Sequence, residues 1–373
     1  MSVKIVTIVG ARPNFVKLAP IAWVLREKPG VEHVIIHTGQ HYDLRLSESF
    51  FQTLDIPQPD INLGVGSGLH GAQTGRMMIE LEPVIKELNP DWVVTFGDVN
   101  STLATTLVSS KIGIKSAHVE SGLRSYDRNM PEEVNRVVAD ALSDVLFVTE
   151  QSGMDNLLRE GVDSSKMHFV GNVMIDTLVK MLPVAGKLAE WERYGLTPTN
   201  YIVITLHRPS NVDDPGQLRD LCHAFEVISR HIPIVMPLHP RTRAKLEESG
   251  VWIGQTAPMN IKLIDPIDYL AFLSLVSKSK MVITDSGGIQ EETTYLGIPC
   301  MTIRPNTERP VTVELGTNEL VTPTSQVILK AFDQFRQDNW KKGSIPPLWD
   351  GHAAERILDV LLDIGPQEGS FKA

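Results

Sequence analysis

The residues best suited to chemistry lie in short polar stretches that follow apolar runs. In the first half of the chain, three carboxylates stand in such places, at Asp98, Glu120 and Glu132. Asp98 follows the run Trp92–Phe96, and Glu120 follows a second apolar run, so both are expected at strand ends. Three such carboxylates suit general acid–base catalysis, in which a side chain removes or donates a proton. Helix capping by Asp98 and complementation of a helix dipole by Glu132 are the structural alternatives.

Basic side chains in the same half follow the first apolar run. Arg12 and Lys17 lie where the chain passes from a predicted strand into a helix, and such a pair offers fixed donors to an anion. A solvated first turn explains the same residues equally well. The stretch lacks the three spaced glycines of the dinucleotide-binding fingerprint, so no nicotinamide cofactor is predicted.

The strongest local signal in the second half is Ser286-Gly287-Gly288, which joins an apolar run to a helix start. Backbone N–H groups are unpaired there, and the two glycines let a phosphate approach closely. Glu292 follows one turn later, where a carboxylate can accept hydrogen bonds from ribose hydroxyls. His207 ends another apolar run and precedes an arginine, which favours an anion site over a structural histidine. A tight turn with an acidic helix start is the structural alternative.

Such stretches come together only if the elements before them form a common sheet. Short β-branched runs alternate with segments of helical period in both halves, which predicts parallel sheets covered by helices on both faces. We therefore predict an α/β protein of two doubly wound, Rossmann-like domains with an interdomain cleft beyond the strand ends. The first domain spans residues 1–172 and the last helix, about 351–373, and the second spans residues 173–350.

The predicted elements have these bounds. Strands are predicted at Val3–Val9, Val34–His37, Trp92–Phe96, Lys115–Val119, Val145–Val148, Met167–Val170, Tyr201–Leu206, Ile234–Leu238, Ile261–Ile264, Met281–Thr284 and Cys300–Ile303. Helices are predicted at Phe15–Arg26, Met77–Leu88, Ser101–Ser110, Pro131–Ala141 and Ala353–Leu362.

Composition narrows the class of protein. The chain has 373 residues, 42% of them hydrophobic and 21% charged, and a formal net charge of −10. This acidic excess argues against a nucleic-acid partner, and no segment has the pattern of a signal peptide or a membrane span. The two cysteines, Cys222 and Cys300, are too few for a disulfide scaffold or a cysteine-ligated zinc site. We expect them to be core residues of a cytoplasmic protein.

Taken together, the polar stretches resemble those of the non-hydrolysing UDP-N-acetylglucosamine 2-epimerases, over about residues 3–360. The resemblance implies a glycosyltransferase-B arrangement of the domains, a UDP-sugar substrate, a homodimer, and neither cofactor nor metal. The stretches that carry it are Gly10–Pro13 with Lys17, Gly97-Asp98, His118–Arg124, Pro131–Arg136, His207-Arg208, Thr284–Glu292 and Thr307–Pro310.

The resemblance also implies a role for individual residues. Catalytic roles fall on the carboxylates Asp98, Glu120 and Glu132, with Lys17 and His207. In the nucleotide site, Phe272 lies against the uracil, Glu292 binds the ribose, and the Ser286 turn and His207 hold the diphosphate. The substrate-binding residues that it implies are Arg12, Arg136, Phe272, Ser286, Gly287, Gly288, Glu292 and Arg309.

The reaction that the resemblance implies is reversible epimerisation at C2 of UDP-N-acetylglucosamine, by elimination of UDP to 2-acetamidoglucal and re-addition. Four alternatives stay open: a 2-epimerase of UDP-2,3-diacetamido-glucuronic acid, a hydrolysing 2-epimerase, a glycosyltransferase of the same architecture, and a nucleotide-sugar binding protein without catalysis. The three carboxylates at strand and helix ends argue against the last of these.

Overall fold

The computed structural model describes residues 2–39, 51–250 and 260–365, and of Arg12 only the backbone. The chain divides into two compact units. Unit 1 comprises Met1–Thr177 and Pro347–Ala373, and unit 2 comprises Leu178–Pro346. None of the helices among the described residues has both the length and the apolar character needed to cross a membrane.

The described residues of unit 1 form a parallel sheet of seven strands in the order β3-β2-β1-β4-β5-β6-β7. β-branched runs suit these strands because helices cover the sheet and keep both faces dry. Since β4 pairs in parallel with both β1 and β5, the carboxyl ends of these three strands lie side by side. The strands are β1 (Val3–Val9), β2 (Val31–His37), β3 (Ile61–Asn62), β4 (Trp92–Phe96), β5 (Ser116–Ser121), β6 (Val145–Val148) and β7 (Met167–Phe169).

Helices follow most strands of unit 1, and the last helix of the chain packs against the first. The indole Nε1 of Trp92 in β4 donates to the carbonyl of Leu361 at 3.1 Å, which ties this last helix to the sheet. The helices are α1 (Arg12–Glu27), α2 (His70–Leu88), α3 (Asn100–Ile112), α4 (Pro131–Leu142), α5 (Gln151–Arg159), α6 (Val173–Leu188), in which the unit boundary falls, and the C-terminal helix (Ala353–Ile364).

The described residues of unit 2 form a second parallel sheet, of six strands in the order β10-β9-β8-β11-β12-β13. The strands are β8 (Ile202–Thr205), β9 (Ile234–Pro237), β10 (Ile261–Ile264), β11 (Met281–Thr284), β12 (Cys300–Ile303) and β13 (Asn318–Val321). The helices are α7 (Glu190–Arg193), α8 (Pro209–Val212), α9 (Pro215–Ser229), α10 (Pro240–Ser249), α11 (Tyr269–Ser277), α12 (Gly287–Leu296), α13 (Pro310–Glu314) and α14 (Ser325–Arg336).

Both sheets place the strands in the Rossmann order, three on one side of the switch point and three or four on the other, which confirms the predicted doubly wound α/β fold. All eleven predicted strands are present, with ends that differ by a few residues. Two edge strands were not predicted. Ile61–Asn62 is too short to show a pattern, and Asn318–Val321 begins with the polar pair Asn318-Glu319.

The two cysteines are free and buried, which confirms the expectation that they are core residues. Cys222 packs among the apolar side chains of α9, and Cys300 begins β12. Burial raises the pKa of the Cys222 thiol to about 12 and that of Cys300 to about 11. Neither thiol is therefore a nucleophile at neutral pH.

Candidate active site

The end of β4 in unit 1 is shaped by a glycine. Gly97 follows the strand with φ +64°, in the left-handed region that glycine adopts without strain. A Cβ at this position would lie 2.6 Å from the Nζ of Lys17. Glycine thus lets the side chain of Lys17 cross from α1 to the strand ends.

Lys17 forms a buried ion pair with Glu120, through its Nζ and the carboxylate Oε2. Lys17 is 6% exposed and Glu120 is 4% exposed, so solvent screens this pair very little. Glu120 has φ +73°, and the pairing register of β5 shifts between Val119 and Ser121. A positive φ in a residue other than glycine is strained, and strain of this kind concentrates at functional sites. The bulge directs the carboxylate out of the regular strand pattern.

Asp98 lies beside Arg136, the second cation of this region. The Nη2 of Arg136, on α4, binds the Oδ2 of Asp98, while its Nη1 binds the Oε2 of Glu133 at 2.8 Å. The side chain of Arg136 is 4% exposed and that of Asp98 is 22% exposed, so the aspartate is partly open to solvent while its cation is buried. Arg136 therefore fixes the Asp98 carboxylate at the rim of the sheet.

Behind these pairs, His118 supports the turn after β4. Its Nε2 lies 2.7 Å from the carbonyl of Gly97, and its Nδ1 lies 2.7 Å from Asp140. Burial alone would raise the pKa of Asp140, but hydrogen bonds and charge from His118 and Arg124 outweigh it, and the pKa lies below its usual value. The ionised Asp140 also accepts the backbone N–H of Gly122, which joins the ends of β4 and β5.

The remaining predicted residues of unit 1 lie at the same end of the sheet. Glu132 is half-buried in the first turn of α4, one turn before Arg136. Arg12 begins α1, but its side chain lies outside the described part of the chain. The structure thus joins Lys17 to Glu120 and Arg136 to Asp98 in two separate ion pairs.

In unit 2, Asp285 organises the loop that contains His207. Asp285 is fully buried after β11 and binds the Nδ1 of His207 at 2.7 Å. It also accepts the backbone N–H groups of His207 and Arg208, at 3.0 and 2.8 Å. Burial alone would raise the pKa of Asp285, but these bonds and the charge of His207 outweigh it and lower the pKa. The imidazole is held at Nδ1 while 40% of the side chain stays exposed, so its other nitrogen is available to a ligand.

The Ser286-Gly287-Gly288 turn lies next to Asp285 and begins α12, as predicted from the sequence. A Cβ on Gly287 would lie 2.7 Å from the Nη1 of Arg309, so glycine is needed for this close approach. Arg309 is itself held by Glu291, at 2.9 Å, and by Glu308. The helix start brings backbone N–H groups to this turn, as an anion requires, and the guanidinium of Arg309 lies against the turn while paired with these two carboxylates.

Phe272 and Glu292 lie on neighbouring helices of unit 2, α11 and α12. Phe272 is half-buried against the apolar cluster between α11 and the sheet. Glu292 is 3% exposed, and its Oε1 accepts the hydroxyl hydrogen of Tyr269 at 3.0 Å. Burial raises the pKa of Glu292 to about 7, although the hydrogen bond from Tyr269 acts in the opposite direction.

Sequence reasoning missed the buried carboxylates that hold these groups in place. These carboxylates are Glu133, Asp140, Asp285 and Glu308, each at most 4% exposed and bonded to a cation or a histidine. Asp285 directly follows β11, so the strand-end rule that selected Asp98 would also have found it. Glu133, by contrast, lies in the first turn of α4. It binds the backbone N–H groups of Ser125 and Tyr126, which no local pattern indicates.

The two units therefore offer complementary chemistry. Unit 1 presents carboxylates beside buried cations, which suits proton transfer and stabilisation of developing charge. Unit 2 presents a helix start, whose N–H groups suit an anion, with a histidine and an arginine, beside a half-buried aromatic ring and a buried carboxylate.

Comparison with known proteins agrees with this description. The family model described as UDP-N-acetylglucosamine 2-epimerase matches residues 24–362. The UDP-N-acetylglucosamine 2-epimerase of Methanocaldococcus jannaschii is 42% identical over 365 residues, which are 96% of this chain and 98% of that protein. The UDP-2,3-diacetamido-2,3-dideoxy-D-glucuronate 2-epimerase of Pseudomonas aeruginosa is 40% identical over 332 residues, or 88% of this chain and 91% of that protein.

A solved structure is similar over nearly the whole length. The crystal structure of the Methanocaldococcus jannaschii UDP-GlcNAc 2-epimerase, in complex with UDP-GlcNAc and UDP, has a TM-score of 0.87 and 42% sequence identity. The match covers 96% of this chain and 99% of that one.

Proposed function

The chain belongs to the UDP-N-acetylglucosamine 2-epimerase family, and from that premise we propose that it interconverts UDP-N-acetylglucosamine and UDP-N-acetylmannosamine. The observation that carries the proposal is the 42% sequence identity, over 96% of the chain, to the UDP-N-acetylglucosamine 2-epimerase of Methanocaldococcus jannaschii. The buried carboxylate–cation pairs of unit 1 and the anion-binding turn of unit 2 supply the groups that this reaction requires.

The chemistry explains why both kinds of group are needed. The C2–H of an N-acetylglucosamine ring has no neighbouring carbonyl and is barely acidic. When UDP leaves C1, oxocarbenium character develops beside that hydrogen, and a carboxylate can then remove it. We propose elimination to UDP and 2-acetamidoglucal, followed by addition of the UDP oxygen to C1 and of a proton to the opposite face of C2. UDP is thus conserved, and no water enters the product.

We propose that unit 1 handles the proton. Glu120, strained and paired with Lys17, and Asp98, held by Arg136, are carboxylates fixed in position before the substrate arrives. Glu132 is the third carboxylate of this set. Inversion at C2 needs a proton to be removed from one face and returned to the other, and carboxylates on two elements can serve the two faces.

We propose that unit 2 holds the UDP. The N–H groups at Ser286-Gly287-Gly288, together with His207 and Arg309, stabilise the negative charge that grows on the diphosphate as the C1–O bond breaks. His207 can fulfil this role because Asp285 fixes its Nδ1. Phe272 lies against the uracil, and Glu292 binds the ribose.

A second candidate differs only in the sugar. The relative from Pseudomonas aeruginosa, named for UDP-2,3-diacetamido-2,3-dideoxy-D-glucuronate, is nearly as similar, at 40% identity. The same elimination and re-addition at C2 would serve either sugar. The two substrates differ at C3 and C5, so activity on both has to be measured.

The test is to identify the products. Purified protein is incubated with UDP-N-acetylglucosamine, and the mixture is separated and assigned by NMR. We expect UDP-N-acetylmannosamine at equilibrium with the starting sugar, with UDP still attached. Free N-acetylmannosamine with stoichiometric UDP would instead establish the hydrolysing reaction. A much larger kcat/KM with UDP-2,3-diacetamido-glucuronic acid would favour the second candidate.

A further inference from the structure

A hydrogen-bonded pair, Tyr269 and Glu292, joins the two helices that we assign to the nucleoside. The hydroxyl of Tyr269 donates to the Oε1 of Glu292 at 3.0 Å. Tyr269 begins α11, and Phe272 follows three residues later, so the two rings lie on one face of the helix. Tyr269 therefore shares a face with the proposed uracil contact and a hydrogen bond with the proposed ribose contact.

We propose that Tyr269 and Glu292 form a pair that recognises the ribose: the phenol holds Oε1 and leaves Oε2 for one ribose hydroxyl. This inference rests on the proposed UDP site and adds Tyr269 to it as a positioning residue. Glu292 is 3% exposed, and among the described residues no donor is bonded to its Oε2. The carboxylate therefore has one fixed oxygen and one oxygen to offer.

Fixing the carboxylate gives selectivity as well as affinity. When the nucleotide lacks the ribose hydroxyl that would donate to a buried carboxylate oxygen, that oxygen is left unpaired. Such a site therefore rejects the deoxy analogue strongly. Without the Tyr269 hydroxyl, the carboxylate can turn or recruit water, so the penalty against a deoxyribose becomes smaller. Tyr269 thus acts on discrimination between nucleotides and not on the chemistry at C2.

The same geometry couples nucleotide binding to the protonation state of Glu292. Burial raises the pKa of Glu292 to about 7. The hydrogen bond from Tyr269 acts to lower this pKa, and the charge of the adjacent Glu291 acts to raise it. A hydroxyl that donates to Oε2 favours the ionised carboxylate, so binding near neutral pH releases a proton from Glu292. The charged or titratable groups on the elements packed against α12, or directly beside those elements, include Tyr269, Asp285, Cys300, Glu308, Arg309, Glu314 and Glu319.

The first arm of the test measures discrimination by calorimetry on the full chain. Kd is measured for UDP, 2′-deoxy-UDP and 3′-deoxy-UDP. For the wild type we expect at least one deoxy analogue to bind about 10- to 100-fold more weakly than UDP, as for loss of a hydrogen bond to a charged group. Tyr269→Phe and Glu292→Gln should each bring that ratio close to one.

Tyr194→Phe is the matched control. Tyr194 donates to the Oε1 of Glu190, also at 3.0 Å, and this second tyrosine–glutamate pair belongs to the same unit. We expect it to keep the ratio of the wild type. Thermal unfolding of each variant establishes that it is folded. Glu292→Gln tests the Tyr269–Glu292 pair by changing the acceptor of the hydrogen bond, whereas Tyr269→Phe removes the donor.

The second arm measures the proton in two buffers of different ionisation enthalpy at pH 7. Because the terminal phosphate of UDP also titrates near pH 6, the quantity of interest is the difference between wild type and Glu292→Gln. We expect the wild type to release more protons on binding UDP. If UDP binds the wild type, but Tyr269→Phe keeps its discrimination and Glu292→Gln releases the same number of protons, the inference is overturned. If UDP does not bind the wild type, the proposed function fails instead.

Discussion

At the scale of the residue, the central feature is the buried pair of Lys17 and Glu120. Its two charges are enclosed where Gly97 leaves room for the lysine, and Glu120 has a backbone conformation that costs energy. A buried ion pair adds little net stability compared with apolar packing, because desolvation offsets much of the attraction. Such a costly arrangement supports the proposal that Glu120 acts in catalysis.

The first prediction concerns this carboxylate. Glu120→Gln preserves shape and can still bond to Lys17, but it removes the base, so kcat should fall about 10²–10⁴-fold. The Kd for UDP should stay within a factor of two to three of the wild type, roughly the scatter expected of a site left intact. Both quantities are measured on the same preparation, by a coupled epimerase assay and by calorimetry.

Glu150→Gln is the control for this substitution. Glu150 is also a buried carboxylate of unit 1, 1% exposed, two residues beyond β6, and it is not among the proposed site residues. We expect it to keep kcat near that of the wild type. Equal losses in the two variants would mean that the effect of Glu120 is structural and would remove its catalytic assignment.

At the scale of the element, one carboxylate of α6 helps to join the C-terminal helix to unit 1. Asp176 accepts the backbone N–H groups of Ala353 and Ala354, at 3.1 and 2.7 Å, and so satisfies donors that a helix start leaves unpaired. Burial raises the pKa of Asp176 to about 6, although these two bonds act against it. The predicted helix at 353–362 is thus joined to residues far away in the sequence.

The second prediction uses this contact. Asp176→Ala removes the acceptor and should lower the free energy of unfolding by about 0.5–2 kcal/mol, the usual cost of a lost helix cap. Asp176→Asn keeps an acceptor oxygen and should lose less. Urea unfolding of the two variants, monitored by circular dichroism, measures the difference. Equal stabilities would contradict the capping role.

The sign of the pH dependence follows from the raised pKa of Asp176. Its stabilising contribution is fully present below the ordinary pKa of about 3.9 and is lost as the pH rises through about 6. Relative to Asp176→Asn, the wild type should therefore become less stable between pH 4 and pH 7. A difference that does not change over this range would contradict the shift.

The sequence predicted elements better than it predicted contacts. Buried strands such as Trp92–Phe96 are continuous apolar runs, and their pattern is local, so their positions could be predicted. The strand-end rule also selected Asp98, Glu120 and Ser286, because such positions depend on where a strand stops. The partner of each residue could not be predicted, since Glu120 lies 103 positions from Lys17 and pairs with it only once the sheet has formed. The strand Asn318–Val321 was missed because packing, and not its own composition, places it at the sheet edge.

At the scale of the whole molecule, two units of the same fold class differ in the side chains at the ends of their strands. The Rossmann order is common to many proteins with unrelated activities, so the fold alone does not assign a function. The proposed function rests on family membership and on the groups at the strand ends, which are carboxylates with cations in unit 1 and a glycine turn at a helix start in unit 2. The homodimer implied by the resemblance and the cytoplasmic location expected from the sequence stay predictions.

The central claim is that the proton at C2 is removed and replaced while UDP is conserved. Its most direct test is epimerisation of UDP-N-acetylglucosamine in D₂O, followed by NMR and mass spectrometry of the sugars. We expect one deuterium at C2 of UDP-N-acetylmannosamine and, through the reverse reaction, at C2 of the recovered substrate. Epimerisation without deuterium at C2 would contradict proton exchange with a carboxylate and would indicate an internal transfer of that hydrogen.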